Sequence, residues 1–407
     1  MSTPLENYLT GKSPDKINAA MTAYVANLQQ VAQVGPEIAA SVVKELATQR
    51  GHLKLVASEN YCSLNTQAAM GNLLTDKYAE GFPEHRYYGG CENVDAVEMV
   101  AAEEAKALFG ADHAYVQPHA GADANIVAYW AILNQKIEMP ALEEFQETNL
   151  SNLTDEQWAT LRAKLGNQKL MGLDYYSGGH LTHGYRQNVS ARMFDSYSYT
   201  VDKTTGLLDY DAIEKQAMEV KPLILLAGYS AYPRAINFKR FRQIADKCGA
   251  VLMVDMAHFA GLVAGKVFTG EENPVEWADI VTTTTHKTLR GPRGALILCK
   301  AEYADAVNKG CPLVLGGPLP HIMAAKAIAF KEARTTAYQT YAKNVQSNAK
   351  ALAEDCINLG MKLQTGGTDN HLMLIDVTSF GLTGRQAENA LFECGVTLNR
   401  NTLPFDP

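Results

Sequence analysis

Val251-Leu252-Met253-Val254-Asp255 and Ile280-Val281-Thr282-Thr283-Thr284-Thr285-His286-Lys287 are apolar or β-branched runs that end on residues no core requires. Strands buried on both faces read as near-continuous apolar runs. Similar runs recur at Ala114–Gln117, Leu170–Leu173, Ala191–Ser196, Leu223–Ala227 and Ala295–Cys299. Helical patterns at Val94–Phe109, 123–134, 209–220 and 237–248 fall between several of them. This alternation predicts an α/β domain on a mainly parallel sheet. Ligands of such open sheets bind beyond the carboxyl ends of the strands. Asp255 and Lys287 are both expected at such ends, on adjoining strands.

Around this centre, composition narrows the possibilities. A chain of 407 residues, 47% apolar and 20% charged, buries a large core and holds two or three domains of roughly 150 residues. Lys and Arg number 36 against 44 Asp and Glu, a net charge of −8. That balance is a poor match for nucleic acid, which needs a basic face. The seven cysteines are scattered without a Cys-x-x-Cys pair, which argues against a disulfide framework and a structural zinc site. No basic-then-apolar leader opens the chain, and no apolar run approaches the ~20 residues of a membrane span. The expected setting is a reduced cytoplasm, with no membrane partner.

Three units are expected. Residues 1–55 read as an N-terminal arm with helices near 15–33 and 36–50, Pro36 standing where a first-turn proline stands. Residues 56–318 form the large domain, interrupted at 135–168 by a polar excursion with its own helix near 154–165. Residues 319–407 read as a connecting helix to about Asn358 and a smaller domain with a strand at 372–377 and a helix at 384–394. One strand and one helix do not close a layer, so this domain is expected to be incomplete.

Taken alone, Lys287 reads as a lysine snorkelling at a strand end. Beside Asp255 it becomes half of a minimal pair for pyridoxal phosphate: the lysine holds the aldehyde as an imine, and the aspartate keeps the ring nitrogen protonated. His119-Ala120-Gly121-Ala122-Asp123 lies between a strand and a helix, where backbone amides can hold a phosphate. Gly316-Gly317 is a second glycine loop able to approach an anion. Lys77-Tyr78-Ala79-Glu80-Gly81 and Arg86-Tyr87-Tyr88-Gly89-Gly90-Cys91 combine aromatics, a carboxylate and glycines, as a small-molecule pocket does. The His180-Leu181-Thr182-His183 spacing hints at a metal, but no nearby third ligand is evident. His180 reads better as a plate stacking on a cofactor ring.

These motifs, with Leu55–Tyr61, Gly178–Gly184, Val254–Gly261, Thr282–Gly294 and Gly366–His371, resemble the serine hydroxymethyltransferase family from about residue 50 onward. The resemblance implies a fold-type I pyridoxal-phosphate transferase, aspartate aminotransferase-like, with a seven-stranded sheet in its large domain. It implies an enzyme acting on serine, glycine and tetrahydrofolate. By resemblance Lys287 carries the imine, Asp255 meets the pyridinium nitrogen and His180 stacks on the ring. Ser230 and His258 contact the ring hydroxyl region, and Gly121, Ala122 and Gly317 belong to the phosphate side. Ser58 and His286 shape the substrate side, and Arg293 neighbours the imine. Tyr78, Glu80 and Tyr88 approach from a neighbouring subunit, which implies a homodimer or a tetramer. Glu80 handles a proton on serine or folate, and Tyr87, Leu181 and Asn370 line the folate pocket. No metal is implied.

Two departures accompany the likeness. The family's phosphate loop usually reads Ser-Gly-Ser, whereas this chain has Ala120-Gly121-Ala122 and then Asp123. Family members also continue past the position of Pro407 into a Ser-Gly-Ile-Arg-type segment whose arginine clamps the substrate carboxylate. Without it, weak serine turnover is expected. The alternatives are a related enzyme favouring alanine racemisation or threonine aldol cleavage, or a protein that binds the cofactor without turnover.

Overall fold

The structure is a computed structural model that describes residues 3–406. Seven strands form its central sheet: β1 (His113–Tyr115), β2 (Lys169–Leu173), β3 (Asp195–Tyr199), β4 (Ile224–Gly228), β5 (Val251–Asp255), β6 (Ile280–Thr284) and β7 (Ala295–Cys299). Their order is β1-β7-β6-β5-β4-β2-β3. From β6 to β3 all neighbours are parallel, while β7 runs antiparallel to both β6 and β1.

Period-two alternation in the strands feeds two cores. Leu225, Leu252, Val254 and Val281 join one cluster with Phe238, Phe241 and Phe259. Ile224, Leu226, Met253 and Ile280 join the other with Ala124, Val127, Ala128 and Ile132 of the helix Gly121–Leu133. This two-sided burial is why the strands read as unbroken apolar runs. The helix Glu92–Phe109 stops at Gly110, whose φ of 77° is the left-handed cap favoured by glycine. Helix Phe238–Cys248 starts on Asn237, whose side chain accepts the Arg240 N–H.

The arm helices span Ala19–Val34 and Pro36–Gly51, with Pro36 in the first turn. The 135–168 stretch holds a helix at Asp155–Gly166, begun by a Thr154–Gln157 capping box.

Three expectations need correction. Residues 191–196 are not one strand: Asn188 Oδ1 accepts the Ser190 N–H and starts a helical turn over Ser190–Met193, and β3 begins only at Asp195. The long helical stretch is two helices, Pro320–Ala333 and Thr336–Asn358, because Thr335 caps the second through the Tyr338 N–H. Of 372–377, only Ile375–Asp376 is strand, paired with Lys362–Leu363. Upstream, Thr368 Oγ1 donates to the Leu372 carbonyl and Asn370 Oδ1 accepts the Leu372 N–H, which folds those residues into a turn.

One pairing was not anticipated. Leu53–Lys54 lies parallel to Val396–Thr397, just beyond the helix Gly384–Glu393. No described helix is long and apolar enough to cross a membrane, and all seven cysteines are free thiols.

Candidate active site

Four successive parallel strands deliver residues to one cavity of about 370 Å³. β2 leads into the loop with His180, β4 into Tyr229-Ser230, β5 ends on Asp255, and β6 runs on to His286-Lys287. The facing wall is His119-Ala120-Gly121-Ala122, at the start of the helix Gly121–Leu133, together with Arg293-Gly294 ahead of β7. Register makes the convergence exact in sequence terms: Gly228 is opposite Asp255, and Asp255 is opposite Thr282. Gly228 has a φ of 115°, and a Cβ there would fall 2.0 Å from the Asp255 carbonyl oxygen, so only glycine allows this approach.

Asp255 is 7% exposed and fully engaged. Oδ2 accepts from Asn125 Nδ2 at 2.9 Å and His183 Nε2 at 3.2 Å, and Oδ1 accepts the Ala257 N–H at 3.0 Å. Burial pushes its pKa up, but the His183 hydrogen bond, the neighbouring imidazoles and Asn125 outweigh it, and the net shift is downward. The carboxylate is therefore ionised at the cavity floor. Asn125 is wholly buried and joins three elements: its amide also donates to Thr182 Oγ1 at 2.7 Å, and its carbonyl accepts from Thr282 Oγ1 at 2.6 Å.

The acidic third ligand that the His180/His183 spacing lacked is Asp255. Ligand atoms of all three residues lie within 4.8 Å of one another. Hydrogen-bond direction gives them another use. The His180 backbone N–H donates to His183 Nδ1, so the neutral His183 ring carries its proton on Nε2 and donates it to Asp255. His180 Nδ1 accepts the Thr182 N–H, and burial holds its pKa down to about 4. A neutral imidazole ring is thus presented to the cavity.

Lys287 Nζ makes no hydrogen bond or ion pair among the described residues. Burial lowers its pKa, Asp255 opposes this, and Arg293 adds to it. Asn60 Nδ2 fixes the Lys287 carbonyl at 3.1 Å. His286 is likewise pushed down to about 4 by burial and by Arg293 and Lys287. His258 is buried and stacks on His371, with ring centroids 5.6 Å apart.

At the helix start, Ala120 is an N-cap without a side-chain hydrogen bond. The backbone amides of Gly121, Ala122 and Asp123 donate to no other group among the described residues. A Cβ at Gly121 would meet Thr284 at 2.9 Å, so the glycine seats this helix against β6. Asp123 does not stand alone beside the amides: His119 Nδ1 lies 3.4 Å from its carboxylate. His119 Nε2 donates to the Gly317 carbonyl at 3.3 Å, which brings the second glycine loop to the cavity edge.

Tyr78, Glu80, Tyr87 and Tyr88 do not line the cavity of their own chain. Tyr88 donates to Glu80 at 3.1 Å and packs edge-on to Tyr78, whose ring rests near Gly317. The loop is held from beneath by Arg86, which bonds Glu98 at 2.5 Å, Asp95 at 2.8 Å and the carbonyls of Ala79 and Gly81. Ser58 is half-buried outside the cavity wall, and Leu181 is 40% exposed. Asn370 is in the interior: it is 0% exposed, and its amide donates to Tyr229 OH and the Tyr232 carbonyl.

Helix-start amides and a lysine amine unengaged among the described residues, with an ionised buried carboxylate, suit the phosphate, aldehyde and ring nitrogen of pyridoxal phosphate. Sheet order and site together define a fold-type I pyridoxal-phosphate enzyme fold. A family profile described as serine hydroxymethyltransferase matches residues 31–157 and 157–407, and the chain belongs to that family. It is 70% identical over 406 residues to a serine hydroxymethyltransferase of Treponema pallidum, covering 100% of this chain and 71% of that protein. Against the serine hydroxymethyltransferase of Mycolicibacterium smegmatis the identity is 58%, over 97% of this chain and 80% of the other. The corresponding protein of Chlamydia trachomatis serovar D is 53% identical, over 100% and 82%.

Proposed function

We propose that this chain catalyses the reaction named for its relatives: reversible transfer of the serine hydroxymethyl carbon to tetrahydrofolate, giving glycine and 5,10-methylene-tetrahydrofolate. The observation that carries this reading is the placement of Lys287 and Asp255 on adjoining strand ends in one cavity, opposite the start of the helix Gly121–Leu133. Pyridoxal phosphate, when bound, supplies an electron sink for the negative charge left on the substrate's α-carbon.

The chain's own residues supply the rest. A lowered pKa keeps more of Lys287 as the free amine, the form that attacks an aldehyde. Asp255, held ionised by Asn125 and His183, would stabilise a proton on the cofactor's ring nitrogen. His180 offers a flat neutral ring, and Ser230 and His258 would contact the cofactor's ring hydroxyl. The amides of Gly121 and Ala122, with Gly317 nearby, take the phosphate. Ser58, His286 and Arg293 belong to the substrate side, and Tyr87 and Leu181 to the folate side, with Asn370 behind the wall, bonded to Tyr229. Glu80, bonded to Tyr88, takes or returns the proton of the serine hydroxyl. Their loop lies outside its own cavity, which supports a homodimer in which Tyr78, Glu80 and Tyr88 serve the neighbouring subunit. A cytoplasmic setting fits seven free thiols and this substrate set.

Borohydride reduction of the protein with its cofactor should attach the pyridoxyl group to Lys287, read by peptide mapping. The variant Lys287→Ala should lose both the attachment and the yellow absorbance. Attachment at any other lysine would overturn the assignment.

A further inference from the structure

Lys326 belongs to none of the groups assigned above. It lies in the helix Pro320–Ala333 and is 1% exposed. Its Nζ donates to three backbone carbonyls: Val116 at 2.5 Å, Pro118 at 2.9 Å and Ala295 at 2.8 Å. An ammonium has three protons and no lone pair, so the three acceptors use it completely. A neutral amine, with two protons, would lose one of these three bonds and turn its lone pair toward a carbonyl oxygen. Burial pushes the pKa down to about 7, opposed by Glu98 and Asp123, and the three carbonyl dipoles favour the charged form further.

The three acceptors occupy related places. Val116 and Pro118 lead out of β1 directly into His119-Ala120-Gly121-Ala122. Ala295 opens β7 directly after Arg293-Gly294. Both stretches wall the cavity. They also touch each other, since the Ala295 N–H donates to the Pro118 carbonyl at 3.0 Å. The fit around the lysine is close: a Cβ on Gly294 would fall 2.6 Å from Lys326 Cε and 3.2 Å from Nζ.

We propose that Lys326 is a positioning residue for anion binding, whose ammonium clips the exit of β1 to the entrance of β7. The clip holds the first-turn amides of the helix Gly121–Leu133 against the Arg293-Gly294 wall, so that they converge on a phosphate. This rests on the reading that the helix start takes the cofactor's phosphate. In the cradle of this chain, where Ala120 and Ala122 bring no hydroxyls, more of the task falls to backbone placement.

The test compares two ligands on the cofactor-free full chain: pyridoxal 5′-phosphate, and pyridoxal, which has the same aldehyde and ring but no phosphate. Lys326→Met should weaken pyridoxal phosphate at least tenfold and pyridoxal by no more than twofold. Gly294→Ala, which drives a methyl from the wall back into the lysine, should move the same ratio in the same direction. It decides the matter if Lys326→Met does not fold. Equal losses for both ligands would mark a general packing role and overturn the proposal, as would an unchanged ratio. A wild-type chain that does not prefer pyridoxal phosphate over pyridoxal would instead overturn the phosphate reading beneath it.

Discussion

Replacing Asn125 by aspartate changes almost no volume but exchanges a donor for an acceptor. Asn125 Nδ2 lies 2.9 Å from Asp255 Oδ2. Two carboxylates at that separation repel by about 6 kcal/mol at an effective dielectric of about 20, equivalent to roughly four pKa units. The pair then titrates as one unit and keeps a shared proton to about pH 8. Its folded pKa stands above the unfolded value of about 3.9, so the folded state binds more protons between about pH 4 and pH 8. Stability is full at the acid end of that window and is lost as pH rises, by about 1.4 kcal/mol per unit. The accumulated loss of about 6 kcal/mol is a large part of the 5–15 kcal/mol typical of a domain. In the natural chain the Asp255 pKa is lowered, so its contribution is retained over the same range. Urea unfolding of both cofactor-free chains from pH 5 to 9 measures the difference. Parallel pH profiles would refute the claim that Asn125 sets the charge state of Asp255.

Two further outcomes are expected. Ala120→Ser with Ala122→Ser should tighten pyridoxal-phosphate binding at least tenfold, since each charge-assisted bond is worth about 1.5–3 kcal/mol; a titration with no gain would mean that the amides alone saturate the phosphate. His180 and His286 are held down to about 4 and His371 to about 3, chiefly by burial. The unfolded chain therefore binds more protons below about pH 6.5, and the melting temperature should fall steadily from pH 7 to pH 5; a flat profile would contradict the neutral assignment.

The sheet was legible because β4, β5 and β6 are buried on both faces and leave uninterrupted apolar runs. Asp255 and Lys287 were legible because charges at the ends of such runs need a reason. Asn125 was not: one polar residue in Gly121–Leu133 reads like any other, and its partners Thr182, Thr282 and Asp255 come from three distant stretches. The same holds for Lys326, whose acceptors are backbone carbonyls with no signature in side-chain identity. The His-x-x-His spacing was visible, yet the carboxylate beside it is 72 residues further on. Placement of Asn370 in the folate pocket followed from likeness alone, and its burial depends on a turn that apolar patterning around 372–377 concealed.

The parallel contact of Leu53–Lys54 with Val396–Thr397 also bears on the order of folding. It joins residues as much as 345 apart, through Leu53 and Leu55 N–H bonds and a His52–Thr397 contact. Closing a free loop of that length costs about 5 kcal/mol from its logarithmic term alone. A few hydrogen bonds at about 1 kcal/mol each do not meet that cost. The contact therefore forms late, after the central sheet has drawn the two stretches together. At about 5–20 residues per second, the growing chain exposes Leu53–Lys54 for roughly 20–70 seconds before its mate is made. During synthesis the segment is an open strand edge.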